Sequence, residues 1–150
     1  MQIRKVPPEL LLEQYRELLR QGQTELPLVI TGSSMCPFLV GNRDTVFLSP
    51  LHQLPRRGQI VLYLRDNGQY VLHRVYRAGK DGCDMIGDGQ TQIERGIRQE
   101  QMIALVHRVS RKGRLLQKGS FLWWLFEKPW LCIRPLRPAA LRLYTLLRRP

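Results

Sequence analysis

The sequence is poor in cysteine and in long apolar runs, and both shortages narrow what the protein can be. Its three cysteines, Cys36, Cys83 and Cys132, are odd in number and show no metal-ligand spacing. This argues against a disulfide scaffold or a zinc module and favours a reducing compartment. The longest apolar run near the C-terminus, Phe121 to Phe126, is far shorter than the ~20 residues of a membrane-spanning helix. Because residues 1–8 also lack the apolar core of a signal peptide, we expect neither a signal peptide nor a transmembrane helix.

Acidic residues are scarce in the last part of the chain. Residues 111–150 carry ten lysines and arginines but one acid, Glu127, so most of the net charge of +12 lies there. The same part contains Trp123, Trp124 and Trp130 and a leucine-rich run. Basic residues mixed with tryptophan and leucine at helical spacing are typical of a helix that lies on an anionic bilayer. We therefore expect residues 121–150 to hold the protein peripherally on an anionic membrane surface, at its cytoplasmic face.

Nucleic-acid binding is an alternative explanation of this charge, since arginine and tryptophan are interleaved as in many nucleic-acid interfaces. The basic residues of the C-terminal part, however, alternate with bulky apolar ones. That mixture favours a lipid surface or a groove on a partner protein, and we do not expect a nucleic-acid partner.

The chain divides into three parts: an N-terminal helix in residues 1–25, a β-rich core in residues 26–112, and a basic amphipathic C-terminal segment in residues 113–150. The helix is predicted from Pro8 to Gln21 by its apolar periodicity. The segment Asp66-Asn67-Gly68 predicts a hairpin, because Asn-Gly tolerates the positive φ angles of a tight turn. Strands are predicted at residues 26–30, 45–49, 59–64, 69–77, 84–86 and 103–110.

Three short segments of the core carry residues suited to a reactive site. They are Gly32-Ser33-Ser34-Met35-Cys36-Pro37, Leu72-His73-Arg74-Val75 and Gly87-Asp88-Gly89. A serine hydroxyl is a poor nucleophile until a base takes its proton, and the base works best when a third group fixes its tautomer. The three segments supply a hydroxyl, an imidazole and a carboxylate in that order.

These segments resemble the serine peptidase superfamily that contains type I signal peptidases and the self-cleaving LexA-type repressors. The resemblance covers about residues 28 to 110, with Gln59 at a position where the family usually has aspartate. The matching residues are Gly32, Ser34, Met35 and Pro37, then Arg57-Gly58-Gln59-Ile60-Val61, Gly87-Asp88-Gly89 and the closing Leu105-Val106. Bacterial signal peptidases and the repressors carry lysine where this chain has His73, and no lysine lies between Lys5 and Lys80. The chain therefore resembles the histidine branch of the superfamily.

The resemblance implies a mainly β fold, a coiled antiparallel sheet like that of signal peptidases and LexA, and the activity of a serine endopeptidase. It implies Ser34 as nucleophile, His73 as general base, Asp88 as the acid that orients the imidazole, and Gly32 and Ser33 as oxyanion or loop support. The substrate would be an extended peptide or precursor segment, bound against a strand edge with small side chains near the cut. No metal or organic cofactor is implied.

Each of these residues also has a structural explanation. Ser34 could be a turn serine that bonds its own backbone, and Asp88 could be a turn aspartate. His73 could be a buried core histidine, on a strand face that it shares with Val71 and Val75. Glu94 is the alternative acid, at the distance where the histidine branch can place its functional carboxylate. We interpret Cys36 as a small packing side chain, and Asp44 as a structural turn residue.

Two other classes of function remain open. A non-catalytic peptide- or membrane-binding module could keep the fold without the reaction, although the intact serine and histidine argue against it. The second class is the nucleic-acid binding considered above for the basic C-terminal part. A LexA-like regulator is a weaker variant, because no DNA-binding domain precedes the core.

Overall fold

The structure, a computed structural model, describes residues 8–148. The N-terminal sequence from which we expect no signal peptide lies largely outside the described residues. Within them, no helix is long and apolar enough to cross a membrane.

The described chain is mainly an antiparallel β-sheet, with one helix before it and several helices after it. The helices are α1 (Pro8–Arg20), α2 (Phe121–Glu127), α3 (Pro129–Cys132) and α4 (Arg137–Arg148), with 3-10 turns at Gln99–Gln101 and Arg134–Leu136. The strands are β1 (Leu26–Val29), β2 (Thr45–Pro50), β3 (Ile60–Leu64), β4 (Tyr70–Ala78), β5 (Gly82–Ile86), β6 (Glu94–Arg98), β7 (Met102–Arg111) and β8 (Arg114–Gln117). The predicted helix and the six predicted strands are all present, whereas β6 and β8 were not predicted.

All eight strands belong to one sheet. Its order is β1-β2-β7-β3-β4-β5-β6, and β8 adds a further pairing to β7. The predicted hairpin joins β3 to β4, with Gly68 at φ +85° in its turn. The partner strands of β4 change along its length: β3 pairs with Tyr70 through Arg74, whereas β5 pairs only from Arg74 onward. The first half of β4 therefore has one open edge, as β1 does beside β2.

Apolar side chains form two clusters. In the smaller one, Val61, Tyr63 and Val75 pack with apolar residues of β5 and β6. In the larger one, residues of α1, of the loop after β1 and of α2 pack on strands β2, β3 and β7. Leu72 packs with the larger cluster and Val71 with the smaller, which confirms the predicted alternation of faces along β4.

The C-terminal segment packs back onto the sheet. Trp123, Phe126 and Trp130 belong to the larger cluster, and the two tryptophans are only 8 and 9 % exposed. The expectation that residues 121–150 as a whole form a membrane surface is therefore wrong for these side chains, because they complete the core. Trp124 and Phe121 remain exposed.

Candidate active site

Ser34 lies in the loop that leaves β1 and returns to β2. Asp44 closes this loop, because its carbonyl oxygen accepts the Ile30 amide at 2.9 Å and its buried carboxylate accepts the Val40 amide at 2.8 Å. The carboxylate also accepts the Lys112 amide, beyond β7, at 3.1 Å. Gly32 has a φ of +81°, a conformation that side chains disfavour. Asp44 is thus the structural turn residue that the sequence predicts, and Ser34 stands half-buried on the loop that it anchors.

The Gly87-Asp88-Gly89 loop packs directly on the backbone at Ser34. The Gly89 amide donates to the Ser34 carbonyl oxygen at 2.9 Å. A Cβ added at Gly87 would lie 2.5 Å from that same oxygen, and one at Gly89 would lie 2.8 Å from the Cys36 carbonyl oxygen. Both glycines are therefore needed for the close approach, and their loop fixes the position of the serine backbone.

His73 lies on the half of β4 that has an open edge, and it is 3 % exposed. Its Nδ1 is 3.1 Å from the Tyr63 hydroxyl oxygen. That hydroxyl donates to Glu94 Oε2 at 2.6 Å, and the same carboxylate oxygen is 4.0 Å from Nδ1. The hydroxyl of Tyr63 therefore lies between the imidazole of His73 and the carboxylate of Glu94.

This chain of contacts selects one tautomer of His73. A phenol that gives its proton to a carboxylate leaves its oxygen as an acceptor, so Nδ1 carries the hydrogen and donates it to Tyr63. Nε2 is then the unprotonated nitrogen. It has no hydrogen-bond partner among the described residues, and the residue lines the cleft described below. A general base needs such a nitrogen.

Glu94 is held ionised by Arg65. The guanidinium binds it with two parallel bonds, Nε to Oε1 at 2.9 Å and Nη2 to Oε2 at 2.9 Å. Burial acts to raise the pKa of Glu94, but the hydrogen bonds from Arg65 and Tyr63 outweigh it and lower that pKa. Burial and the bond to Glu94 raise the pKa of Tyr63, so the phenol keeps its proton.

Burial lowers the pKa of His73 to about 4, against the opposing charge of Glu94. A positive imidazolium is disfavoured in this nearly enclosed position. The ring is therefore neutral, and able to accept a proton, at every pH well above 4.

Ser34 and His73 come from distant parts of the chain and line the same cleft of about 710 Å³. The cleft is also lined by residues 27–31, in and after β1, and by residues 69–73, at the start of β4, and both strands have an open edge there. No hydrogen bond joins Ser34 to His73 in residues 8–148. Such bonds are often long in unliganded sites and tighten when substrate binds.

Asp88 makes no hydrogen bond or ion pair with His73 in the described chain, which corrects the expectation that it orients the imidazole. Both of its oxygens are taken by Arg74, the next residue after the histidine, at 2.8 Å each. Because neighbouring residues of a strand point to opposite faces, this ion pair lies on the other face of β4. Glu94, the alternative acid of the sequence analysis, is the carboxylate near the ring.

Tyr63 and Arg65 were missed by the sequence analysis. The signal that could have found Tyr63 is the hairpin at Asn67. A turn centred there pairs Val61 with His73 and Tyr63 with Val71, as the structure shows. Paired residues share a face, so the tyrosine falls on the face of the histidine. No comparable signal points to Arg65, because its partner Glu94 lies on β6 and that strand was not predicted.

Residues of the C-terminal segment donate hydrogen bonds to the backbone of the Gly87-Asp88-Gly89 loop. Trp130 Nε1 donates to the Asp88 carbonyl oxygen at 2.7 Å. The buried Arg137 donates through Nη1 to the carbonyl oxygens of Gly87 at 3.0 Å and Gln90 at 2.8 Å. The segment therefore supports the loop that holds Ser34.

Comparisons of this chain with protein-family models, with curated proteins and with solved structures gave no match.

Proposed function

We propose that this protein is a serine endopeptidase with a signal-peptidase-like fold, in which Ser34 is the nucleophile and His73 the general base. One observation carries the proposal. Ser34 and His73, 39 positions apart in the sequence, line one cleft, and the histidine has its Nδ1 occupied by Tyr63 while its Nε2 has no partner in the described chain. A histidine that only filled the core would have no need of this arrangement.

In the proposed reaction, Ser34 Oγ attacks the carbonyl carbon of the scissile peptide bond while His73 Nε2 takes its proton. The C–N bond then breaks, and the imidazolium returns the proton to the leaving amine. Water then attacks the acyl carbon while His73 Nε2 takes its proton, and the imidazolium returns that proton to Ser34 Oγ as the ester bond breaks. While the ring is positive, the ionised Glu94 stabilises it through Tyr63, the role that a triad acid has.

The loop that carries Ser34 supplies candidate oxyanion donors. The amides of Gly32, Ser33, Ser34 and Met35 have no acceptor in the part of the chain that the structure describes. Backbone amides aimed at the developing oxyanion stabilise the transition state in a site that excludes water. Of these four, Gly32 and Ser33 are the oxyanion or loop support that the resemblance implies.

The substrate of the proposed reaction is an extended peptide. A segment laid between the open edges of β1 and β4 would gain backbone hydrogen bonds from them. The cleft between these edges is lined mainly by apolar side chains, among them Leu12, Leu28, Leu62 and Leu72. It suits a peptide with apolar side chains on the face that enters the cleft.

The test is covalent labelling of the full chain by a fluorophosphonate probe, which reports an activated serine. Ser34→Ala and His73→Ala should each abolish labelling, and the double variant should lose no more than either single one, because the two groups act as a unit. Cys36→Ala and His52→Ala are the matched controls, a neighbouring thiol and an exposed loop histidine, and both should label like the original protein. Full labelling of His73→Ala would contradict the proposal.

The same cleft could bind peptides without cleaving them. That alternative predicts no labelling of any variant, together with peptide binding that Ser34→Ala leaves intact. The Nε2 without a partner in the described chain and the ionised acid beside the ring favour catalysis, since a binding groove requires neither.

A further inference from the structure

The C-terminal helix α4 exposes an apolar face. Leu143, Leu146 and Leu147 are 57, 61 and 76 % exposed. Their i, i+3, i+4 spacing places them on one side of the helix. Leu141 and Tyr144, which lie on a different side, are half-buried. The helix therefore docks by one face and leaves a second apolar face in solvent.

The positive charge of the C-terminal segment is not neutralised within the described structure. Every ion pair within the described structure joins two residues that both lie between Glu25 and Arg108 in the sequence. Those acids are matched by arginines and histidines of the sheet, whereas Lys118, Lys128 and Arg142 pair with no acid among residues 8–148. These three side chains are exposed, so their charge remains for an external partner.

From these two observations we infer that the leucine face of α4 rests on an anionic lipid bilayer. A bilayer offers an apolar layer for the leucines and phosphate groups for the arginine and lysine side chains, as interfacial helices require. A nucleic acid matches the charge but offers no apolar layer for the leucines. A second copy of the chain matches the leucines, but the two basic segments would repel each other.

In this placement α4 lies between the bilayer and the site, with its leucine face on the lipid and its Leu141 side towards the site. Pro138 and Leu141 of α4 line a depression that also contains His73 and Glu94. If the proposed function holds, a peptide that lies on or emerges from the bilayer surface is the substrate that meets the cleft. The lipid contact itself does not depend on catalysis, so it is tested in the Ser34→Ala background.

The experiment is flotation of the full Ser34→Ala chain with vesicles of two parts phosphatidylcholine to one part phosphatidylglycerol, and with phosphatidylcholine alone. We expect binding to the anionic vesicles to be at least about tenfold stronger, and to weaken without vanishing as salt rises. A triple variant, Leu143→Gln with Leu146→Gln and Leu147→Gln, should bind at least about tenfold more weakly. Arg142→Gln should lose about fivefold on anionic vesicles only.

Leu115→Gln is the matched control, since this leucine of β8 is 61 % exposed, as Leu146 is, and it should bind like its parent. Circular dichroism confirms that each variant is folded.

Equal binding of the triple variant and its parent overturns the inference, as does equal binding to both vesicle types or no binding at all. Sedimentation that shows a dimer lost in the triple variant assigns the face to a second copy. Leucine-dependent binding to an RNA oligonucleotide assigns it to nucleic acid. If the Ser34→Ala chain floats as expected while the chain with Ser34 intact never labels with fluorophosphonate, the proposed function alone is contradicted.

Discussion

The Tyr63 hydroxyl lies between His73 and Glu94, 3.1 Å from Nδ1 of the ring and 2.6 Å from Oε2 of the acid. In a serine-histidine-aspartate triad the acid bonds the ring directly. Here the direct distance between ring nitrogen and carboxylate is 4.0 Å, and the phenol fills the gap. Burial and the carboxylate raise the pKa of Tyr63, so the phenol keeps its proton. The phenol therefore links the imidazole to Glu94 and holds the orientation of the ring without ionising.

Tyr63→Phe removes the acceptor of Nδ1 while preserving the packing of the aromatic ring. We expect kcat/KM and the rate of fluorophosphonate labelling to fall by about 100-fold, within the range that a misplaced general base costs. Tyr76→Phe is the control. This tyrosine lies on β4, the strand next to that of Tyr63, and the variant should label normally. Normal labelling of Tyr63→Phe would assign the tyrosine to packing alone.

The acid limb of the pH profile should lie unusually low. Ser34 can be activated only while His73 is neutral, and burial lowers the pKa of this ring to about 4 from its usual 6.5. The value of kcat/KM should therefore hold as pH falls through 6.5 and drop only near pH 4, as a profile of kcat/KM reports groups of the free enzyme. Circular dichroism at each pH separates this loss from unfolding. An acid limb near 6.5 would contradict the burial of the base.

Charge changes at the two neighbours of the ring should move that limb in opposite directions. The Glu94 carboxylate raises the pKa of His73 and the Arg65 guanidinium lowers it. Glu94→Gln should therefore shift the limb to lower pH, and Arg65→Gln should shift it to higher pH. Shifts of equal sign in the two variants would show that the limb belongs to another group.

Much of the sheet could be predicted from the sequence, because its strands show local signals. The alternation along β4 and the Asn67-Gly68 turn predicted the faces and the hairpin. Strand β6 was missed because Glu94-Arg95-Gly96-Ile97-Arg98 is almost entirely polar and pairs at the margin of the sheet. The identity of the acid depended on this strand, since Glu94 reaches His73 only after β6 pairs with β5.

The packing of the C-terminal segment could not be read from its composition. Tryptophan, leucine and basic residues at helical spacing describe both an interfacial helix and a core-completing helix with a charged outer face. Tertiary contacts decide between them: Trp130 lies beside Phe126 with ring centroids 5.4 Å apart, whereas Leu143 on α4 meets solvent. The sequence therefore indicated the chemistry of the segment without showing which residues face inward.

Asp88→Asn should act on stability more than on the tautomer of His73. Asp88 and Arg74 are both buried and bonded through two contacts, and breaking such a pair from one side costs about 3–5 kcal/mol of unfolding free energy. Urea denaturation measures this loss. Among molecules that stay folded, the acid limb of kcat/KM should move to lower pH by less than in Glu94→Gln, since the Asp88 charge raises the pKa of His73 less than that of Glu94 and Asp88 is not bonded to the ring. A shift of that limb as large as the one in Glu94→Gln would return the orienting role to Asp88.

Trp130→Phe should loosen the loop that holds Ser34. The change keeps an aromatic ring beside Phe126 but removes the indole donor that bonds the Asp88 carbonyl oxygen at 2.7 Å. A buried carbonyl left without its donor costs about 1–3 kcal/mol, and we expect this cost to appear locally, as faster amide hydrogen exchange in residues 87–90. Labelling of Ser34 should slow in parallel, because the Gly89 amide in this loop fixes the serine carbonyl. Trp123→Phe is the matched control, since Trp123 is an equally buried tryptophan of the same cluster whose indole nitrogen bonds no group in the described chain. If both variants slow labelling equally, the tryptophans act through packing, and the bond from Trp130 has no separate role in positioning the nucleophile.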